Sequence, residues 1–100
     1  MKYFIVFFDR VEAVDYRGLH SRFTGDERIK RWWHYIKSGY IVGTDMTVGE
    51  LSSHYRRCAE LEGIPVNHLA IKVDLRVRQG MLPGNAWAWI RSSNPNIKDG

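Results

Sequence analysis

Residues 2–8 read KYFIVFF, an almost unbroken apolar run of aromatic and β-branched side chains closed by Asp9 and Arg10. A strand with that composition is unstable unless structure covers both of its faces. The run therefore places a central strand at the start of the chain, and the rest must supply neighbours on either side and a layer to cover it. It is also too short to cross a membrane before Asp9 and Arg10 interrupt it, and no targeting segment follows. The expectation is a soluble, cytoplasmic protein.

The remaining pattern supplies those neighbours. Tyr16, Leu19, His20 and Phe23 recur at i, i+3, i+4 and i+7, one face of a short helix that Gly25 stops. Residues 31–37 and 40–44 read as two short strands joined at Ser38-Gly39, where glycine permits a tight hairpin turn. Alternation puts Trp33, Tyr35 and Lys37 on one face of the first strand and Trp32, His34 and Ile36 on the other. Thr47-Val-Gly-Glu50 is a capping box that opens a helix, and Gly63 with Pro65 closes it. Residues 68–77 alternate strictly, which predicts a half-buried strand with Leu69, Ile71, Val73, Leu75 and Val77 inward. Beyond it, Pro83 and the paired Trp87 and Trp89 fit a short turn or helix over the sheet, and residues 92–100 carry the composition of a flexible tail.

The order is β-α-β-β-α-β with a C-terminal extension. Right-handed crossovers fold such an order into an α+β, ferredoxin-like domain over residues 1–91: a four-stranded antiparallel sheet with both helices on one face. The opposite face is expected to stay open, as a binding platform or a dimer interface. One core is what 100 residues with 44% hydrophobic content can build, and thirteen aromatic rings let it form without a disulfide, which the lone Cys58 excludes in any case.

Two sets of residues carry family resemblances. FIVFFDR, then SGYIVGT ahead of a capped helix, then LAIKVDL resembles the small ferredoxin-like proteins around the second CRISPR-associated protein and the virulence-associated protein D ribonucleases, across about residues 1–77. Trp33, His34, Tyr35, Ser38, Ile41, Val42, Thr44, Gly80, Leu82, Pro83 and Trp87 are similar to a series in SinR-like bacterial and phage proteins. The first resemblance implies a homodimer in which Asp9, at the end of the first strand, is a catalytic and metal-binding candidate. Paired across the two-fold axis, two such carboxylates would hold Mg²⁺ for ribonuclease chemistry. Arg10 beside Asp9 and the tryptophan-rich tail depart from that family.

A net charge of +4 favours anionic partners. The rings of Trp33, Tyr35, Tyr40 and Trp87 beside Arg31, Lys37, Arg76 and Arg78 combine π-faces with cations, the pairing that single-stranded nucleic acid or a nucleotide prefers. His34, amid the cluster, is a candidate general base. His20, His54 and His68 sit in separate elements without metal-ligand spacing, so no cofactor is expected unless Mg²⁺ serves a nuclease. The sequence thus points to a homodimer that binds nucleic acid or a phosphorylated small ligand. A Mg²⁺-dependent ribonuclease and a phage-type inhibitor or nucleotide-sequestering protein are the alternatives, and no membrane partner is expected.

Overall fold

The computed structural model describes residues 1–64, 67–76 and 78–93. In chain order the elements are β1 (Lys2–Phe8), α1 (Arg17–Gly25), β2 (Ile29–Ile36), β3 (Gly39–Thr44), α2 (Val48–Leu61), β4 (His68–Lys72) and α3 (Gly84–Ser93). The four strands form one sheet in the order β2-β3-β1-β4, antiparallel at every pairing. β1 is central, as its composition demands. This is the ferredoxin-like arrangement with a helical C-terminal extension. No helix among the described residues is long and apolar enough to cross a membrane.

Phe4, Val6 and Phe8 point to one side of β1 and pack with Tyr40 and Val42 of β3 against Leu19 and Phe23 of α1 and Leu51, Tyr55, Cys58 and Ala59 of α2. That cluster is the main core. The capping box of α2 is complete: Glu50 N–H donates to Thr47 Oγ1 at 3.1 Å, and Thr47 N–H donates to Glu50 Oε1 at 2.9 Å. At the other end Gly63 takes φ +66, and Ile64 N–H reaches back to Ala59 O, so the last helical carbonyls are satisfied.

The second sheet face differs from the open platform expected of it. α3 lies over part of it and builds a second cluster of Trp33, Ile41, Leu75, Ala86 and Ile90, with Tyr3, Ile5 and Val73 against its edge. Gly43 makes room for this layer, since a side chain there would meet Tyr3 Cε1 at 2.9 Å. Trp33 is only 4% exposed and donates from Nε1 to Ala86 O at 3.3 Å. Arg31 lies with its guanidinium carbon 4.4 Å from the Trp89 ring centroid and donates from Nη2 to Ser92 Oγ at 2.9 Å. Beyond the edge of α3, Phe7, Leu69 and Ile71 stay exposed.

Three further expectations are corrected. The last strand stops at Lys72 rather than continuing to residue 77. Val73 still donates to Tyr3 O, but Asp74 then accepts from the Arg76 N–H and guanidinium and turns the chain. The apolar alternation persists because α3 buries Leu75, whereas Leu69 and Ile71, expected inward, are exposed; Val77 lies outside the described residues. In β2 the pairing steps from Trp33↔Ile41 to Ile36↔Gly39, so one extra residue bulges between them; Trp33 and Tyr35 still share one face and Trp32 and His34 the other, but Ile36, expected with Trp32 and His34, falls on the face of Phe7. Ser92, expected to begin a tail, belongs to α3, and residues 94–100 lie outside the described residues.

Candidate functional site

The β2 bulge carries His34 and Tyr35, and it sends their rings to opposite faces. Tyr35 joins Trp33 on the α3 side, ring centroids 5.3 Å apart, while His34 stacks on Tyr40 on the side of α1. There it enters the wall of a cleft of about 540 Å³ between α1 and the sheet. The core-facing stripe of α1 contributes Tyr16, Leu19 and His20, the connection from β1 contributes Arg10, and α2 contributes Tyr55.

Hydrogen bonds fix the orientation of these rings. His34 Nδ1 lies 2.8 Å from Gly39 O. A carbonyl only accepts, so Nδ1 carries the proton, and in the neutral ring Nε2 is left as the acceptor. His20 Nδ1 lies 2.8 Å from the Tyr40 hydroxyl. Burial pushes the His20 pKa below its ordinary value, and the charge of a protonated His34 pushes the same way. Burial also raises the Tyr40 and Tyr55 phenols, which therefore stay protonated donors. Tyr55 is fully buried, and its hydroxyl has no hydrogen-bond partner among the described residues.

Two cations line the cleft, Arg10 and Arg17. The Arg10 guanidinium carbon lies 4.8 Å from the Tyr16 ring centroid, and Tyr16 is itself held by Val11, whose N–H donates to its hydroxyl at 2.8 Å. Among the described residues no carboxylate comes within 4.0 Å of Arg10. Asp15, on the same rim, is already committed to Arg17, with Nε and Nη2 forking onto its two oxygens at 3.0 and 2.7 Å, and this pairing holds its carboxyl down at about 2. The cleft thus offers phenol and imidazole donors, one unpaired guanidinium, and one bare imidazole nitrogen able to take a proton. Such a wall favours an anionic, acceptor-rich guest.

Of the residues singled out in the sequence, His34 and Tyr40 belong to this cleft, Tyr40 deep in its wall at 3% exposure. The others lie elsewhere. Trp33 is sealed beneath α3, so it has no free face on which a base could stack. Arg31 and Tyr35 contact α3 and Trp87 is part of it: Asn85 Nδ2 donates to the Tyr35 hydroxyl, and Trp87 lies under Arg78 at 5.8 Å. Lys37 is exposed at the hairpin turn and Arg76 is forked onto Asp74. Asp9 sits outside the cleft, in a shallow hollow with Phe7 and Leu69, where Asn67 Nδ2 donates to it at 3.2 Å. Among the described residues no three His, Cys, Asp or Glu side chains gather as metal ligands.

Sequence reasoning missed Arg10, His20 and Tyr55. His20 did leave a signal, since it shares the inward stripe of α1 with Leu19 and Phe23, where an imidazole must find a polar partner. A second cluster imitates catalytic geometry without its chemistry. His54 Nδ1 lies 3.7 Å from Cys58 Sγ and 3.8 Å from Asp26 Oδ2. Its Nε2, however, donates to Phe23 O, and burial pushes the Cys58 thiol up, so the group belongs to the core.

No family model, no curated protein and no solved structure matches the chain.

Proposed function

We propose that this protein binds a nucleotide-like phosphorylated ligand in the cleft between α1 and the sheet, and that it works as a homodimer. The observation that carries the reading is Arg10. A guanidinium without a carboxylate partner among the described residues sits in the wall of a cleft lined by His20, His34 and Tyr40, and a phosphate is the common guest that such donors satisfy together.

The distribution of rings favours a small ligand over a polymer. Trp32 and Tyr35 are the exposed rings of β2, at 43% and 45%, and they lie on opposite faces of the sheet, so they do not form one stacking track. The homodimer reading is supported by the uncovered apolar strip beside α3, where Phe7 pairs with Leu69 and Ile5 with Ile71. Asp9 borders that strip. A Mg²⁺-dependent ribonuclease reading requires a two-fold axis that brings two Asp9 carboxylates together beside that strip.

Calorimetric titration of the protein with adenosine 5′-monophosphate, and separately with a short single-stranded RNA, tests the proposal. Saturable mononucleotide binding that Arg10→Ala weakens at least about tenfold, one lost charged hydrogen-bonding group, is the expected result. A steep fall of log affinity for RNA with log salt, with no mononucleotide binding, would instead favour a polymer. RNA cleavage that needs Mg²⁺ and disappears in Asp9→Asn would favour the nuclease.

A further inference from the structure

The two imidazoles of the cleft define the charge of its guest. His20 and His34 lie with ring centroids 5.6 Å apart and planes 28° from parallel. Each has one nitrogen engaged by an uncharged partner, Tyr40 Oη for His20 and Gly39 O for His34. Neither has a carboxylate within 4.0 Å among the described residues, and the nearby Asp15 is spent on Arg17. The groups around the pair are Arg10 from the β1–α1 connection, Tyr16 with the Asp15–Arg17 pair at the start of α1, Tyr40 from β3, Tyr55 from α2, and the apolar rings of Phe8 and Trp32. Burial opposes a proton on His20, and the charge of a protonated His34 opposes it further. A guest bearing two negative charges reverses that balance: Arg10 answers one charge and an imidazolium the other.

That requirement separates two kinds of phosphate. A phosphomonoester loses its second proton at about pH 6, so it is largely dianionic at neutral pH. A phosphodiester, the repeating unit of a nucleic acid strand, carries one charge only. Resting on the ligand reading above, we propose that the cleft takes the terminal phosphate of a phosphomonoester as its dianion, and that the His20–His34 pair takes up one proton as it binds. The proton comes from solvent and no covalent bond changes. The site is thereby selective for monoesters over strands.

Calorimetry tests this on the intact protein. Adenosine 5′-monophosphate is titrated at about pH 7.5, above the ordinary histidine range, in two buffers of different ionisation enthalpy. A dinucleotide monophosphate, which has only a diester, is titrated alongside. The expected result is an uptake close to one proton per monoester bound and an affinity that falls up to about tenfold per pH unit as the pH rises further. The diester should bind at least about tenfold more weakly and take up no proton. His34→Gln should abolish the uptake, and if that variant misfolds, ¹⁵N shifts of the imidazoles in the native protein report the same protonation. Monoester binding with equal heats in both buffers would overturn this inference and leave the ligand reading standing. No monoester binding between about pH 6 and pH 8 would overturn both.

Discussion

The imidazole of His34 lies flat on the phenol of Tyr40, ring centroids 4.1 Å apart and planes 11° from parallel, while the Tyr40 hydroxyl lies 2.8 Å from His20 Nδ1. One tyrosine thus orients both histidines, the first by stacking and the second by a hydrogen bond. Tyr40→Phe separates the two effects, since it keeps the ring and removes the hydroxyl. The expected loss of stability is about 1 kcal/mol, the ordinary net value of a partly buried hydrogen bond, read from the urea midpoint. An unchanged midpoint would mean that the His20–Tyr40 bond is not made in solution.

Stability should fall in two stages as the solution is acidified. Burial lowers the pKa of His20 and of His68 from the ordinary 6.5, so below that pH the unfolded chain binds protons that the folded one refuses. Their contribution is complete above about pH 6.5 and is lost as pH falls toward the depressed folded values. The second stage belongs to Asp15, Asp26 and Asp74, each held at about 2 by hydrogen bonds from Arg17, Arg28 and Arg76 respectively, against 3.8 for a free carboxyl. That stability is present above about pH 4 and disappears as pH approaches 2. In the double variant His20→Asn, His68→Asn the upper slope should flatten while the lower one persists. Denaturation midpoints measured across the range give both slopes, and an upper slope unchanged by the substitutions would contradict the assignment.

Trp33 offers a clean contrast between fold and site. It is buried against Ala86 on the side of the sheet away from the cleft, so Trp33→Ala should cost about 3–5 kcal/mol and loosen α3. Trp33→Phe should cost less and leave ligand affinity unchanged. Hydrogen exchange of the α3 amides reads the first effect and calorimetric titration the second. A large drop in affinity in a well-folded Trp33→Phe protein would return this ring to the binding site.

Most of the fold was legible because its elements declare themselves locally: the apolar run of β1, the Thr47–Glu50 box, the Ser38-Gly39 turn. The errors fall where tertiary packing takes over from local pattern. Val73 and Leu75 keep a strand's alternation outside any strand, because α3 rather than a ladder buries them. Alternation also sorted Trp33 from His34 without revealing which face an extension would cover. The cleft was the least legible part. Arg10, His20, His34 and Tyr55 come from a connection, a helix, a strand and a second helix, and no spacing along the chain announces that they meet.

Cys58 should be inert in the native state. It is 4% exposed, burial and the nearby Asp26 carboxylate raise its pKa, and the neighbouring His54 keeps its Nε2 proton on Phe23 O. A disulfide reagent should label it at the rate of unfolding, and labelling should accelerate with urea. Rapid labelling of the folded protein would show a thiolate that this packing does not permit.

The uncovered strip of the sheet should decide the oligomeric state. Phe7 and Leu69 face each other across the β1–β4 pair, and Ile36 continues the row through Gly39, which pairs with both Ile36 and Phe7. The three apolar side chains are 47%, 57% and 52% exposed. A second copy presenting the same row would bury them in an isologous contact, in which each Leu69 meets the partner's strip. Light scattering should then give twice the chain mass of 11.7 kDa. Leu69→Lys places a charge at the centre of that contact. In a single subunit this side chain is more than half exposed, so the substitution should change monomer stability by less than about 0.5 kcal/mol. The expected outcome is a folded protein at half the wild-type mass that still binds the ligand, because the cleft lies on the opposite face. Wild-type protein that stays monomeric at high concentration would refute the pairing.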